Sequence, residues 1–469
     1  MTFDPFTPAY ALADQMNQRM LSPVEVMEAY LARIERHNPG LNAVVTLHAD
    51  RAMDEARDVE RRLAKGEVVG PLAGLPFAVK DLEDVAGMVT THGSPLYRDH
   101  RAVADSVNVE RMRSAGAIPV GKTNTPEFGA YMQTSNTVFG VTRNPWNQDR
   151  TPGGSSGGSA AALVAGLVPL VTASDGGGSI RIPAAFTGCV GLKPTFRRIP
   201  QRPDPILVFD DTAVWGPLTL TVRDAARLAD CTFGPHECDP TAVPAPGESY
   251  EATLDRSPGK LRIGYCPSFG TRVQSDIARE VDAAVRALAA SGHEVELHTK
   301  PIPFAGKAWS IISITSVYLR EHRSLDESPE KLDPMMRQGM ERVRARGADD
   351  LAYAYRRRTE LGQWTEAAFG KYDLLAMPTL PLEAFPVEQL HPSEIDGERV
   401  RTHDAFPFTY PFNLTGHPAI SLPAGVTDTG LPAGLQLVAP RYCEDRLLRV
   451  GRQFEEARPW QKSPPAYRE

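Results

Sequence analysis

The chain is poor in cysteine. Five occur in 469 residues, Cys189, Cys231, Cys238, Cys266 and Cys443, with no Cys-x-x-Cys pair. That pattern excludes a disulfide framework and a thiolate metal site, and it fits a reducing, cytoplasmic setting. Excess positive charge is also missing: 51 Lys and Arg face 58 Asp and Glu, for a net charge of −7. A nucleic-acid backbone is therefore not the expected partner. No long apolar run occurs either. The best stretch, Ala160 to Ala173, is broken by Gly166 and Pro169 and falls short of the ~20 residues of a membrane span. The opening Met-Thr-Phe-Asp-Pro-Phe has no basic region leading into an apolar one, so no signal peptide is expected. Repeats and low-complexity tracts are absent. With 42% hydrophobic and 23% charged residues, the composition is that of a globular chain with a large core.

Strand-like and helix-like segments alternate along the sequence. Ser22-Pro23-Val24-Glu25 is a capping box with proline at the first helical position. Val24, Met27, Leu31 and Ile34 follow at helical spacing, and Asn38-Pro39-Gly40 predicts the end of that helix. A second helix is expected over Ala49 to Ala64, others from Val107, from Ala160 and from Ile277, and mostly helix from Arg337 to Phe369. Leu75 to Val79, Ile118-Pro119-Val120, Leu167 to Ala173, Leu261 to Tyr265, Glu294 to Leu297, Leu374 to Pro378 and Ala419 to Leu422 read as strands. Pro203-Asp204-Pro205 and Thr241 to Gly247 read as loops. This alternation predicts an α/β architecture.

Gly116-x-x-x-x-Gly121-Lys122-Thr123 satisfies a phosphate-loop pattern, but strand-like residues lie inside it and Pro119 removes an N–H donor. A helix stop followed by a strand is the plainer reading. Two glycine-rich segments carry more. Thr151-Pro152-Gly153-Gly154-Ser155-Ser156-Gly157-Gly158-Ser159 leads straight into an Ala-rich helix, unlike a flexible linker. Asp175-Gly176-Gly177-Gly178-Ser179-Ile180-Arg181 puts three glycines before a serine. Such a run lets backbone amides converge beside a hydroxyl nucleophile. A nucleophilic serine needs a base. None of the 11 histidines sits in a pattern tied to Ser179, and His92 and His417 read as structural. Lys80, ending the strand Leu75 to Val79, is the best-placed alternative, because burial can make a lysine neutral. Asp81 and Asp84 are the partners of a plain salt-bridged lysine there.

Together these segments resemble the amidase signature family. The match runs from Gly153 to Ser159, through Asp175 to Ala184, to Gly188-Cys189-Val190-Gly191-Leu192-Lys193-Pro194-Thr195. Leu72 to Asp81, Gly121 to Gly129, Pro411 to Ala419 and Gly430 to Leu437 extend it, so it covers about Ser22 to Phe454. One departure is Arg197, where members commonly have glycine. The resemblance implies an amidase signature fold: a large mixed, twisted sheet covered by helices on both faces, with a helical insertion. It implies one domain over 1–469, with an N-terminal helical part over 1–70, a catalytic core over 71–235 and a variable helical insertion over 300–370.

The resemblance also implies a Ser–cis-Ser–Lys triad: Ser179 as nucleophile, Ser155 as the bridging serine on a cis bond and Lys80 as base. Amides of Gly176, Gly177, Gly178 and Ser179 are the oxyanion-hole candidates, with Ser156, Asp175 and Arg181 in support. By the same analogy Tyr131, Met132 and Gln133 border the pocket, with Ile206 to Phe209 and the variable stretch Phe304 to Met340 completing it and Trp309, Tyr318, Met335 and Met336 as an apolar wall. The implied activity is hydrolysis of a small-to-medium apolar or aryl amide, or of a carbamate. No metal or organic cofactor is expected, and neither a nucleic-acid nor a membrane partner; the chain is expected as a monomer or homodimer. The alternative is the glutamine-hydrolysing subunit of a tRNA-dependent amidotransferase, whose Tyr-rich stretch is not found around Leu351 to Arg358. A nucleotide-binding module is the more distant alternative.

Overall fold

The computed structural model describes residues 4–201 and 212–468; the segments Pro203-Asp204-Pro205 and Ile206 to Phe209 lie outside the described residues. Its centre is an eleven-stranded sheet. Across the sheet the strands run Val44–Leu47, Ile118–Thr123, Pro76–Lys80, Leu170–Val171, Leu218–Thr219, Val190–Lys193, Ala419–Val426, Pro432–Val438, Leu374–Pro378, Arg262–Tyr265 and Glu294–Leu297. Pro76–Lys80 is parallel to both its neighbours, as is Arg262–Tyr265, whereas the edge pair Val44–Leu47 with Ile118–Thr123 and the middle pairs are antiparallel, so the sheet is mixed, as the α/β reading expects.

Side chains alternate across the pleat with period two. On one face Val190, Leu192, Leu374, Ala376, Ile420, Leu422, Leu435 and Leu437 form a core with helices Val222–Thr232, Ser275–Ala290 and Glu444–Ala457. Burying each large aliphatic side chain stabilises the fold by roughly 1.5–3 kcal/mol. The other face carries glycine where the helix Arg181–Thr187 lies against the sheet. A Cβ on Gly191 would come within 2.7 Å of Ala184 Cβ, and one on Gly434 within 2.7 Å of Ala185 Cβ. The helices Gly306–Glu327 and Ala348–Phe369 pack outside this short helix, with Ala308, Ile311, Ile312, Ala354 and Leu361 meeting Ile182, Ala185 and Phe186. These two helices, within residues 300–370, thus lie over the helix Arg181–Thr187 that follows Ser179.

Several boundaries differ from expectation. The first long helix, Pro23–Leu41, runs through Pro39 and ends at Asn42, whose φ is 51°. Asn38 explains the delay: its Oδ1 accepts from the N–H groups of Ala43 and Val44, and its Nδ2 donates to Val44 O. That side chain builds the exit turn, and the cost of Pro39 is confined to one helical bond. The strand expected over Leu167 to Ala173 shrinks to Leu170–Val171, and the helix expected from Ala160 begins at Gly157. The phosphate-loop pattern dissolves. Gly116 (φ 99°) stops the helix Val107–Ser114, and Gly121-Lys122-Thr123 lie on the fully buried strand Ile118–Thr123. Lys122 Nζ donates to Thr90 Oγ1 (3.0 Å) and to the Glu83 carbonyl. Among the described residues no helix is long and apolar enough to cross a membrane.

Candidate active site

Lys80 ends the strand Pro76–Lys80, every residue of which is buried. The apolar residues before it pull the chain into the core, and the pleat leaves the amine with no exposure at all. Its Nζ contacts three hydroxyls: Ser155 Oγ at 2.7 Å, Ser156 Oγ at 2.8 Å and Ser174 Oγ at 2.9 Å. Burial pushes this amine down from 10.5 to about 7, against the charges of Asp175 and Glu83, which hold it up. At neutral pH much of Lys80 is therefore uncharged. A neutral amine has two N–H donors and one lone pair, and the hydroxyl contacts sort themselves accordingly. Ser156 Oγ donates to Ser174 O (3.2 Å) and accepts from Ser174 N (3.3 Å), so at Lys80 it can only accept. With Ser156 and Ser174 taking the two N–H groups, the lone pair is left for the Ser155 hydroxyl.

Ser155 and Ser156 come from the glycine-rich run. The bond Gly154–Ser155 is cis. Ser156 occupies the N-cap position of helix Gly157–Val164, yet its hydroxyl makes no cap bond because Lys80 and Ser174 hold it. A missing cap costs a helix about 1 kcal/mol, so the hydroxyl is committed elsewhere at some expense. Ser156 N donates to Ser179 O (3.3 Å), stitching the Ser155-Ser156 turn to the second glycine segment.

Ser179 follows the short strand Ser174–Asp175, which pairs with Val214–Trp215, and precedes the helix Arg181–Thr187. Asp175 and Arg181 fix the loop between them. Arg181 Nε and Nη2 each donate to the Asp175 carboxylate at 2.9 Å, and both residues are fully buried. Arg181 also donates to Thr409 O, Gln436 Oε1 and Asn413 Oδ1. Burial alone would raise the Asp175 carboxyl, but Arg181, Lys193 and Asn413 outweigh it and hold it down at about 2. The two supporting residues are therefore an ion pair with each other, and the pair closes the glycine loop.

The loop lines a cavity of about 690 Å³. Gly154, Gly176, Gly177 and Ser179 form one side; Tyr131, Met132, Trp309, Ile314, Val317, Met335 and Phe406 are among its other walls. Such size and apolar lining suit a small organic molecule. Gln133 is a correction: it lies outside the lining, buried, with Nε2 donating to Val387 O (2.7 Å). Tyr318 and Met336 are likewise not in the lining, Met336 packing instead with Leu325, Leu332 and Met340. His92 does reach the cavity, and burial drives its imidazole well below 6.5. His417 stacks on Phe369 and bonds Thr415 Oγ1. No hydrogen bond among the described residues joins a histidine to Ser155, Ser156 or Ser179.

Sequence reasoning missed Ser174, the third hydroxyl on Lys80. Its only signal is its place directly before Asp175 and the glycines. Ser313 and Val317, inside the stretch Phe304 to Met340 expected at the pocket, share one helix face with Trp309 at i+4 and i+8.

The amidase family model matches residues 25–448. The chain belongs to the amidase signature family. It is similar to an acylamidase of Rhodococcus erythropolis, at 36% identity over 98% of this chain and 97% of that protein. Similarity extends to a glutamyl-tRNA(Gln) amidotransferase subunit of Acidothermus cellulolyticus, at 36% identity over 96% of this chain and 94% of that protein. Among solved structures, a bacterial aryl acylamidase of the amidase signature enzymes superposes with a TM-score of 0.92, at 31% identity, covering 99% of this chain and 98% of that one. The protein is thus a hydrolase acting on amide C–N bonds, with the fold that its motifs imply.

Proposed function

We propose that the amidase hydrolyses small-to-medium apolar or aryl acylamides, and aryl carbamates by the same chemistry, through an acyl-enzyme on Ser179. The observation that carries this reading is the fully buried Lys80 amine, held near pH 7 and 2.7 Å from Ser155 Oγ, behind a cavity whose wall includes Ser179. Neutral Lys80 takes the proton of Ser155, and Ser155 takes that of Ser179. Ser179 Oγ bonds to the substrate carbonyl carbon, and the amides of the glycine loop receive the oxyanion. One well-placed donor is worth ~3 kcal/mol at that stage. Ser155 then returns a proton to the departing nitrogen as the C–N bond breaks. Water attacks the acyl-enzyme, gives its proton to the same relay, and releases the acid with Ser179 restored.

The apolar walls, Met132, Ile314, Val317 and Phe406, support an apolar or aryl group next to the scissile bond. The acylamidase and aryl acylamidase relatives support the same class. All five cysteines are free thiols, which supports a reducing compartment such as the cytoplasm. The similarity to amidotransferase subunits keeps glutamine as the competing substrate. The test is a side-by-side assay of an aryl p-nitroanilide, an aryl carbamate and free glutamine with wild type and Ser179→Ala. Anilide or carbamate turnover that disappears in the variant is the expected result. Turnover of glutamine alone overturns the substrate class, and normal turnover by Ser179→Ala overturns the mechanism.

A further inference from the structure

We infer that Trp309, on the variable helix Gly306–Glu327, is a positioning residue for the oxyanion hole and acts there together with Thr409. This rests on the reading above, in which Ser179 is the nucleophile and the glycine-loop amides hold the oxyanion.

Three glycines in a row have no side chains to set how their peptide planes are turned. Here each plane is set from outside by a donor on its carbonyl. Asp175 O accepts from Asn413 Nδ2 (2.8 Å), Gly176 O from Trp309 Nε1 (2.8 Å), Gly177 O from Thr409 Oγ1 (2.6 Å) and Gly178 O from Ile182 N (2.6 Å). In a trans peptide the N–H points opposite to the C=O. Anchoring the Gly176 carbonyl on the indole therefore turns the Gly177 N–H away from it, and anchoring Gly177 on Thr409 does the same for the Gly178 N–H. Among the described residues no acceptor is bonded to the N–H groups of Gly177, Gly178 or Ser179. Gly177 and Gly178 are buried and Ser179 is half-buried; buried backbone donors are nearly always paired, so the unpaired N–H groups of the two glycines mark donors held ready for an incoming acceptor.

A second observation ties Trp309 to the loop independently of that hydrogen bond. A Cβ on Gly177 would lie 2.4 Å from Trp309 Cζ2, so the indole rests directly on this backbone. The ring is itself wedged by Phe406, His403 and Tyr410, with centroids 5.3, 6.1 and 6.1 Å away. It also lines the cavity. One side chain of the insertion thus forms the pocket wall and sets the angle of an oxyanion donor.

The test measures kcat and KM on an aryl p-nitroanilide, and the inhibition constant of a matching trifluoromethyl ketone that adds to the nucleophile. Trp309→Phe removes the N–H and should lower kcat about 10- to 100-fold while KM stays within about 3-fold. The ketone should weaken by the same factor. Trp309→His can place Nε2–H at the ring position of the indole nitrogen and should recover most of the loss. Thr409→Val should lose kcat in the same way, and it carries the test if Trp309→Phe does not fold. Wild-type kcat in Trp309→Phe or Thr409→Val overturns the inference, as does a His variant no better than Phe or a loss confined to KM. Ser179→Ala separates the two levels. If it turns over normally, the underlying mechanism is wrong; if it is inactive while Trp309→Phe is normal, only this inference fails.

Discussion

Lys80 makes the amidase sensitive to pH in a way that can be worked out in advance. The amine falls from 10.5 to about 7 because burial disfavours its charged form, more than the charges of Asp175 and Glu83 favour it. Each pH unit between folded and unfolded values is worth about 1.4 kcal/mol, so keeping this lysine charged in the folded state costs about 5 kcal/mol. Below about pH 7 both states bind the proton, and the cost is fully present. Between about 7 and 10.5 only the unfolded chain keeps the proton, so this group makes stability rise with pH across that window. The catalytic consequence has the same direction. Neutral Lys80 is the active form, so kcat/KM on an aryl anilide should rise through a single ionisation near pH 7 and lie about 100-fold below its plateau at pH 5. Lys193 is also fully buried and pushed down to about 7 by burial, but its Nζ donates to Pro194 O and, among the described residues, to none of the serines around Lys80. Lys193→Met should therefore leave the midpoint of the acid limb where it is. A profile flat from pH 5 to 8, or a limb that disappears with Lys193, refutes Lys80 as the base.

Ser174→Ala removes one acceptor from the charged form of Lys80, which should move the acid limb of that profile to lower pH and cost roughly 1–2 kcal/mol in chemical denaturation; an unmoved limb shows that this hydroxyl does not tune the amine. Asp175→Asn leaves Arg181 buried with no counter-charge. The expected loss is roughly 3–5 kcal/mol of stability, read as a lower denaturation midpoint, together with most of the activity; a variant as stable as wild type contradicts the pair's role in holding the loop.

Much of the architecture was legible because burial and periodicity wrote it locally. The strands Glu294–Leu297 and Leu374–Pro378 and the helix Ala49–Ala64 fall where their patterns place them. The helix Gly157–Val164 starts earlier than its apolar residues suggest, because tertiary packing overrides the poor helix propensity of Gly157 and Gly158. A Cβ on Gly158 would lie 2.4 Å from Asn124 N, so only glycine lets the helix start pass that close. Lys80, Ser155 and Ser179 were found through motifs, and the structure brings Lys80 to Ser155 and ties the Ser156 backbone to that of Ser179. Ser174 stayed hidden because its contact with Lys80 spans 94 residues of chain and arises only where the chain runs on past Leu170–Val171, the strand paired with Pro76–Lys80. The pocket wall was read only in part. Trp309 lines the cavity and Tyr318 does not, although Val317 beside it does, since helical phase relative to a cavity depends on how the helix is docked.

The most direct test of the account is to trap the acyl-enzyme. The amidase is mixed with an aryl carbamate, quenched within one turnover and digested with trypsin. Ser155, Ser156, Ser174 and Ser179 all lie on the single peptide Thr151–Arg181, which has no internal Lys or Arg, so fragment masses must place the adduct. The account predicts an alkoxycarbonyl group on Ser179, the part of the carbamate left when the C–N bond breaks and the arylamine departs, absent from Ser179→Ala. An adduct on Ser155, or turnover with Ser179 unmodified and dispensable, would contradict it.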